Sequence, residues 1–238
     1  MLRSEFGVDV KLFAEVGSTQ AIAATGAETA EVAMSTRATT AQDRAGFPGK
    51  RFEEVQVGTQ VVAMVIPRDV WSTGLRAVTK EQAQRIYEGR VKNWKELGGE
   101  DRAIKFYNVP RGHGIWELFV TWLYGEVRRA PLGNFETVAN AEDARASVEF
   151  NAGAMSLLAP QFIDGKAVFA LAIKQTDGSV VGPNPEEIAN RKYPLARPLF
   201  LVAADKPTGG IKKLFDFMIT PRGQELVAKA GFLPVIAP

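Results

Sequence analysis

Residues 78–111 read VTKEQAQRIYEGRVKNWKELGGEDRAIKFYNVPR, and their local chemistry sets the pattern for the whole chain. Thr79 is followed three residues later by Gln82, the spacing of a capping box. There the hydroxyl and the amide each satisfy a free N–H at a helix start. Ala83, Ile86 and Tyr87 then supply an apolar stripe at helical spacing. Gly89 closes the helix, because glycine takes the backbone conformation that ends one. Residues 104–109 follow as a short strand. A capped helix leading into a strand predicts an α/β fold.

The same alternation extends outward in both directions. Residues 8–16 place Val8, Val10, Leu12, Ala14 and Val16 at period two, the pattern of a half-buried strand. An alanine-rich helix follows Gly17. Residues 55–66 end in the apolar run 61–66 and are expected to form one strand, stopped by Pro67. Residues 116–124 are apolar and helical, and Asn140 before Glu142 and Asp143 marks another helix start. Residues 152–158, 167–173 and 199–203 are expected as buried strands. Pro183, Pro185 and Pro194 suggest a loop-rich return. Residues 210–219 form a helix with Ile211, Leu214, Phe215 and Met218 on one face. Thr220 caps a last helix that begins at Pro221 and ends at Gly231.

Composition narrows the function. The chain has 238 residues, about 1.6 domains at roughly 150 residues each. It is 46% apolar and 24% charged, as an ordinary globular protein is. Its longest apolar runs fall far short of the roughly 18 residues of a membrane span. The net charge of +2 leaves no excess of cations for a nucleic-acid partner. With no cysteine and the single histidine His113, thiolate and multi-histidine metal sites are excluded. No cofactor is expected. Nor is an enzyme, since no nucleophile–base set or paired carboxylates stand at motif spacing. Met1 to Val10 carries Arg3, Glu5 and Asp9 and no apolar core, so it is not expected to be a signal peptide.

Within residues 78–111, Ile86, Gly89, Asn93, Trp94, Gly98, Gly99 and Arg111 fall on a pattern that resembles the phosphate-binding proteins of ABC transporters. A second stretch, 193–235, reads YPLARPLFLVAADKP…IKKLFDFMITPRGQELVAKAGFLPV and is similar to the C-terminal motif of that family. The resemblance implies an α/β fold of the two-lobe periplasmic-binding-protein type, with two crossover strands and a ligand cleft between the lobes. Lobe one would hold residues 1–66 and 193–238, and lobe two residues 67–192. The family also begins with a strand, an anion loop and a helix ahead of the strand expected at 8–16. Only seven residues precede Val8, so that opening unit is expected to be lacking.

The resemblance places candidate ligand residues in three loops. Such sites replace anion hydration with N–H groups at helix starts, hydroxyls and arginines. The first loop is Gly17-Ser18-Thr19-Gln20-Ala21, where Ser18 and Thr19 are either anion donors or simply the helix cap. The family has glycines at positions 19 and 21. The second is Ser35-Thr36-Arg37. Thr36 stands where some members carry an aspartate that accepts the proton of monoprotonated phosphate. Arg37 either meets the anion or forms a surface ion pair.

The third loop runs Arg111-Gly112-His113-Gly114-Ile115-Trp116-Glu117, against a family pattern R-x-x-x-S-G-T. Arg111 is the strongest ligand candidate, since a guanidinium grips an oxyanion with two donors. His113 and Gly114 lie beside it; His113 is either a pH-sensitive contact or an exposed loop residue. Ile115-Trp116-Glu117 replaces Ser-Gly-Thr, putting an indole and a carboxylate near the anion. Of the four tryptophans, Trp116 alone is expected to face the cleft.

The implied function is that of the solute-binding component of a phosphate-type ABC transporter. It would be a monomer with an ABC permease as partner, periplasmic or at the cell surface in the full-length form. The alternative is a degenerate binding-protein-like domain that acts as a sensor or interaction module.

Overall fold

The computed structural model describes residues 7, 9–12 and 17–235. In chain order the elements are α1 (Ser18–Gly26), β1 (Ala33–Ser35), α2 (Ala41–Ala45), β2 (Glu53–Val61), β3 (Ala63–Pro67), α3 (Arg68–Ser72), β4 (Ala77–Thr79) and α4 (Lys80–Tyr87). There follow β5 (Lys105–Asn108), α5 (Gly114–Tyr124), β6 (Glu136–Thr137), α6 (Ala141–Phe150), β7 (Ala154–Leu158), β8 (Val168–Ala170), β9 (Ala172–Lys174) and β10 (Val180–Val181). The last are α7 (Pro185–Ala189), β11 (Ala196–Ala203), α8 (Gly209–Met218) and α9 (Pro221–Lys229).

The helices start where the sequence supplies caps. The Thr79 hydroxyl accepts from the Gln82 N–H at 3.1 Å, and Gln82 Oε1 accepts from the Thr79 N–H at 2.8 Å. Asn140 caps α6 through the Asp143 N–H, and Thr220 caps α9 through the Gly223 N–H. Chain contacts divide the protein into two compact units. One holds the described residues up to Gln60 together with those from Arg197 on, and the other is Val61–Ala196.

The first unit is built on a three-stranded sheet, order β1-β11-β2, with β1 antiparallel to β11 and Ala33 opposite Val202. Successive residues of a strand face opposite sides. Accordingly Val202 packs with Ile22 of α1, Ala33 and Phe52, whereas Leu201 and Ala203 pack with Val57 and Phe215 of α8. Ile211, Leu214 and Met218 join that second cluster, as their spacing predicted.

The second unit carries a five-stranded sheet, order β6-β5-β7-β3-β8, and a three-stranded sheet, order β10-β9-β4. β5 runs parallel to β6 and β7, and β3 runs antiparallel to β7 and β8. All five residues of β3 are buried. Ala63, Val65, Leu158 and Val168 pack against Ala144 and Val148 of α6.

Three expected strands differ. Residues 55–66 form two strands, because at Val62 the N–H leaves the ladder and donates to Leu195 O. Residues 167–173 also divide, into β8 and β9, which belong to different sheets; the Leu171 N–H between them donates to Met64 O. Of residues 8–16, only 9–12 are described. They form no strand, and Val10 and Leu12 are 47% and 77% exposed. Period-two patterning makes a strand only where a neighbouring strand takes its hydrogen bonds. The return around Pro183 and Pro185 contains α7, with Pro185 at the first helical position and Asn184 as its cap.

Candidate functional site

In the first unit, Gly17 is the N-cap of α1 and no side chain caps the helix. Ser18 and Thr19 are therefore helical residues and not the cap. Their hydroxyls turn instead to the loop after β1. Ser18 Oγ accepts from the Thr36 N–H at 3.0 Å and lies 3.3 Å from Thr36 Oγ1. Ser35 is buried, and its hydroxyl is used within the loop. It donates to Arg37 O at 2.6 Å and accepts from the Arg37 N–H at 3.2 Å.

The Arg37 side chain forms an ion pair. Its Nη1 and Nη2 donate to the two carboxylate oxygens of Asp43 at 2.6 and 3.1 Å, and Nη2 also donates to Thr19 Oγ1 at 3.1 Å. The guanidinium hydrogen bonds, with those from Thr40, hold the Asp43 carboxyl well below the usual carboxylate range. The same bond raises Arg37 above its ordinary value.

In the second unit, β5 runs out into the loop that carries Arg111, His113 and Gly114. His113 is the N-cap of α5, and its Nδ1 accepts from the Ile115 N–H at 3.3 Å. Its role is thus structural as well as exposed. Because α5 begins at Gly114, Ile115 and Trp116 already lie on its buried face, 7% and 3% exposed. The Trp116 indole donates to the Tyr87 hydroxyl at 3.1 Å, and Tyr87 donates to Pro131 O at 3.0 Å. Trp116 is therefore a core residue and not the outward-facing indole expected. The residues at the open end of α5 are Gly112-His113-Gly114, not the Ile115-Trp116-Glu117 that the motif register placed there. Glu117 is half-buried in the first turn.

Arg111 is exposed and makes no ion pair among the described residues; its guanidinium lies 5.1 Å from the centre of the Trp116 ring. It is an exposed cation just ahead of the start of α5. Asn108, one turn of chain before it, is fully buried, and its Nδ2 has no hydrogen-bond partner among the described residues. The available sequence signal for it was an asparagine two residues after the apolar Phe106, on the same buried face of the strand.

The other tryptophans have separate structural roles. Trp94 is buried and donates to Gly153 O at 2.9 Å, Trp71 stacks on Phe169 at 4.8 Å, and half-buried Trp122 packs beside Phe119. A groove of about 610 Å³ in the second unit, lined by Pro67, Arg68, Asp69, Phe150, Asn151 and Lys166 among others, shares no residue with either loop. No group of three potential metal ligands occurs among the described residues.

The PBP superfamily domain, as described by the PBP_like_2 family, matches residues 3–222. The chain belongs to the PBP superfamily. The phosphate-binding protein PstS of Bacillus subtilis is 28% identical to this PBP domain over 196 residues, which are 82% of the chain and 62% of the relative. The chain thus spans less than two thirds of that relative's length.

Among solved structures, an ABC-type phosphate transport receptor from Vibrio cholerae superposes with a TM-score of 0.68 at 22% identity, covering 92% of this chain and 85% of its own. PstS from Borrelia burgdorferi superposes with a TM-score of 0.69 at 19% identity, covering 94% and 86%. These likenesses show the two-lobe periplasmic-binding-protein-like α/β fold. No helix among the described residues of the PBP domain is long and apolar enough to cross a membrane.

Proposed function

We propose that this PBP domain binds a small oxyanion, phosphate foremost, as the solute-binding component of a phosphate-type ABC transporter. The observation that carries it is the Ser18–Thr36 pair at the start of α1. Ser18 Oγ accepts a backbone N–H, and whichever hydroxyl of the Ser18–Thr36 pair donates to the other, the second hydroxyl hydrogen remains to donate, next to first-turn N–H groups that no side chain caps. Donors so arranged at a helix N-terminus suit an anion. Arg111, a cation with no ion-pair partner among the described residues, supplies the positive charge in the second unit. The relatives named for phosphate binding support the same ligand class.

On this reading the protein acts as a monomer without turnover, outside the cytoplasmic membrane, and passes its ligand to an ABC permease. Thr36, Ser35, His113 and Gly114 contribute hydroxyl, loop and backbone positions around the two principal contacts.

The second reading is a sensor or interaction domain that has lost phosphate binding. It is favoured by the absence of Ser-Gly-Thr hydroxyls at the start of α5. Thermal melts with phosphate, sulfate and arsenate decide between them, because a ligand that binds only the folded chain raises its melting temperature. Phosphate is expected to raise it, and Arg111→Ala and Ser18→Ala to abolish or shrink the rise. No shift with any of these anions at millimolar concentration refutes oxyanion binding.

A further inference from the structure

Arg37 follows Thr36 directly, and its guanidinium is held by Asp43, Thr19 and the Ala38 carbonyl. Beyond its two bonds to Asp43 and the one to Thr19 Oγ1, its backbone N–H and carbonyl are both held by the Ser35 hydroxyl. Asp43 is anchored from the other side. Its Oδ2 accepts from the Thr40 N–H and from Thr40 Oγ1, each at 2.7 Å, and its side chain is only 9% exposed. One carboxylate thus joins the first turn of α2 to the guanidinium, and the guanidinium reaches the first turn of α1. A bidentate Arg–carboxylate pair fixes direction as well as distance. Its two charges cancel, which leaves Arg37 little long-range attraction for an anion.

We infer that Arg37 and Asp43 are positioning residues for the candidate anion loop, and that Arg37 is not itself an anion ligand. The pair holds Thr19 and residues 35–37 in one register, so that Ser18 and Thr36 keep the geometry in which Ser18 Oγ accepts the Thr36 N–H. The inference rests on the oxyanion reading of this loop for its functional meaning, but its structural core is testable without a ligand.

The test uses the whole chain and the variants Arg37→Gln, Asp43→Asn, the double variant, and Arg37→Lys. Phosphate binding is measured by calorimetry and amide hydrogen exchange by NMR. Each single change is expected to weaken phosphate binding about tenfold. The double variant is expected to be no weaker than the weaker single, since the two residues act as one unit. Arg37→Lys should recover part of the loss. If Arg37 were a ligand, Asp43→Asn would free it, and phosphate would bind as well as or better than to the unchanged chain; that result overturns the inference.

Without phosphate, Asp43→Asn is expected to speed exchange of the Thr36 N–H about tenfold while leaving Val65 in β3 unchanged. Unchanged exchange at Thr36 also overturns the inference. Should Asp43→Asn fail to fold, Thr19→Val removes only the far end of the network and is expected to speed Thr36 exchange by a smaller factor. An unaltered chain that binds no phosphate refutes oxyanion binding alone, and the exchange arm still decides the positioning role.

Discussion

At the scale of single residues, what decides a side chain's role is the partner it finds, whether near or distant in sequence. Arg37 reads from its surroundings as either ligand or ion pair; Asp43, six residues on, supplies the ion pair. Trp116 reads as a candidate for the ligand surface until Tyr87 is seen to accept its indole N–H. Asp164 shows how strongly such partners act on charge. Its carboxylate accepts from the backbone N–H groups of Lys166 and Ala167 at 2.8 Å and of Val168 at 3.1 Å, and from Arg145 at 2.8 Å.

These bonds, the backbone ones foremost, hold Asp164 well below the usual carboxylate range. A depressed carboxyl pKa stabilises the fold above the unfolded value of about 3.9 and loses that contribution as pH falls toward the folded one. Asp164→Asn is therefore expected to be less stable than the unchanged chain at pH 6, with the gap narrowing below about pH 4. Urea-unfolding midpoints at pH 6 and in acid measure it. A gap that is independent of pH would show that the charge of Asp164 contributes nothing.

At the scale of elements, local chemistry that repeats within a few residues was legible. The Thr79–Gln82 box, the Asn140 and Thr220 caps and the apolar face of α8 all form as their spacing dictates, because each depends only on neighbours three or four residues away. What was not legible is where a continuous apolar run changes sheets. Residues 61–66 and 167–173 look uniform, yet Val62 and Leu171 send their N–H groups to Leu195 and Met64, and nothing local announces either partner. The start of α5 was misplaced for another reason. The motif register put residues 115–117 at its mouth, while Ile115, Trp116, Phe119, Val120 and Leu123 already spelled a buried stripe.

Gly153, ahead of β7, ties several elements by its backbone. Its N–H donates to Asp69, its carbonyl accepts from Trp94, its φ is +73°, and a Cβ would come within 2.4 Å of Ala103 O. Gly153→Ala is expected to cost about 2–4 kcal/mol through strain and collision combined. Denaturant unfolding measures the loss, and a loss below 1 kcal/mol would mean that the turn simply shifts.

At the scale of the whole molecule, the two units differ in how the chain builds them. In the first, β1 pairs with β11, Ala33 opposite Val202, so its sheet is complete only when the last third of the chain has arrived. Pairings between such distant residues carry a large closure entropy before they are rewarded. In the second, every strand from β3 to β10 finds its ladder partners inside Val61–Ala196. Its ends also close on each other. The Val62 N–H donates to Leu195 O at 2.9 Å, and the buried Tyr193 hydroxyl donates to Val62 O at 2.9 Å. Burial raises the Tyr193 pKa, so the hydroxyl stays protonated as a donor throughout the neutral range.

A unit with its own core and neighbouring ends has what independent folding requires. Residues 61–196 expressed alone are expected to unfold in one cooperative transition, whereas residues 1–60 alone are expected to remain unfolded for want of β11. Tyr193→Phe in the 61–196 fragment should lower its midpoint, because the Val62 carbonyl then loses a buried donor, at a cost of about 1–3 kcal/mol. Circular dichroism during thermal melting reads both results. A fragment 61–196 that melts without a cooperative transition would show that its fold depends on the rest of the chain, however complete its sheets.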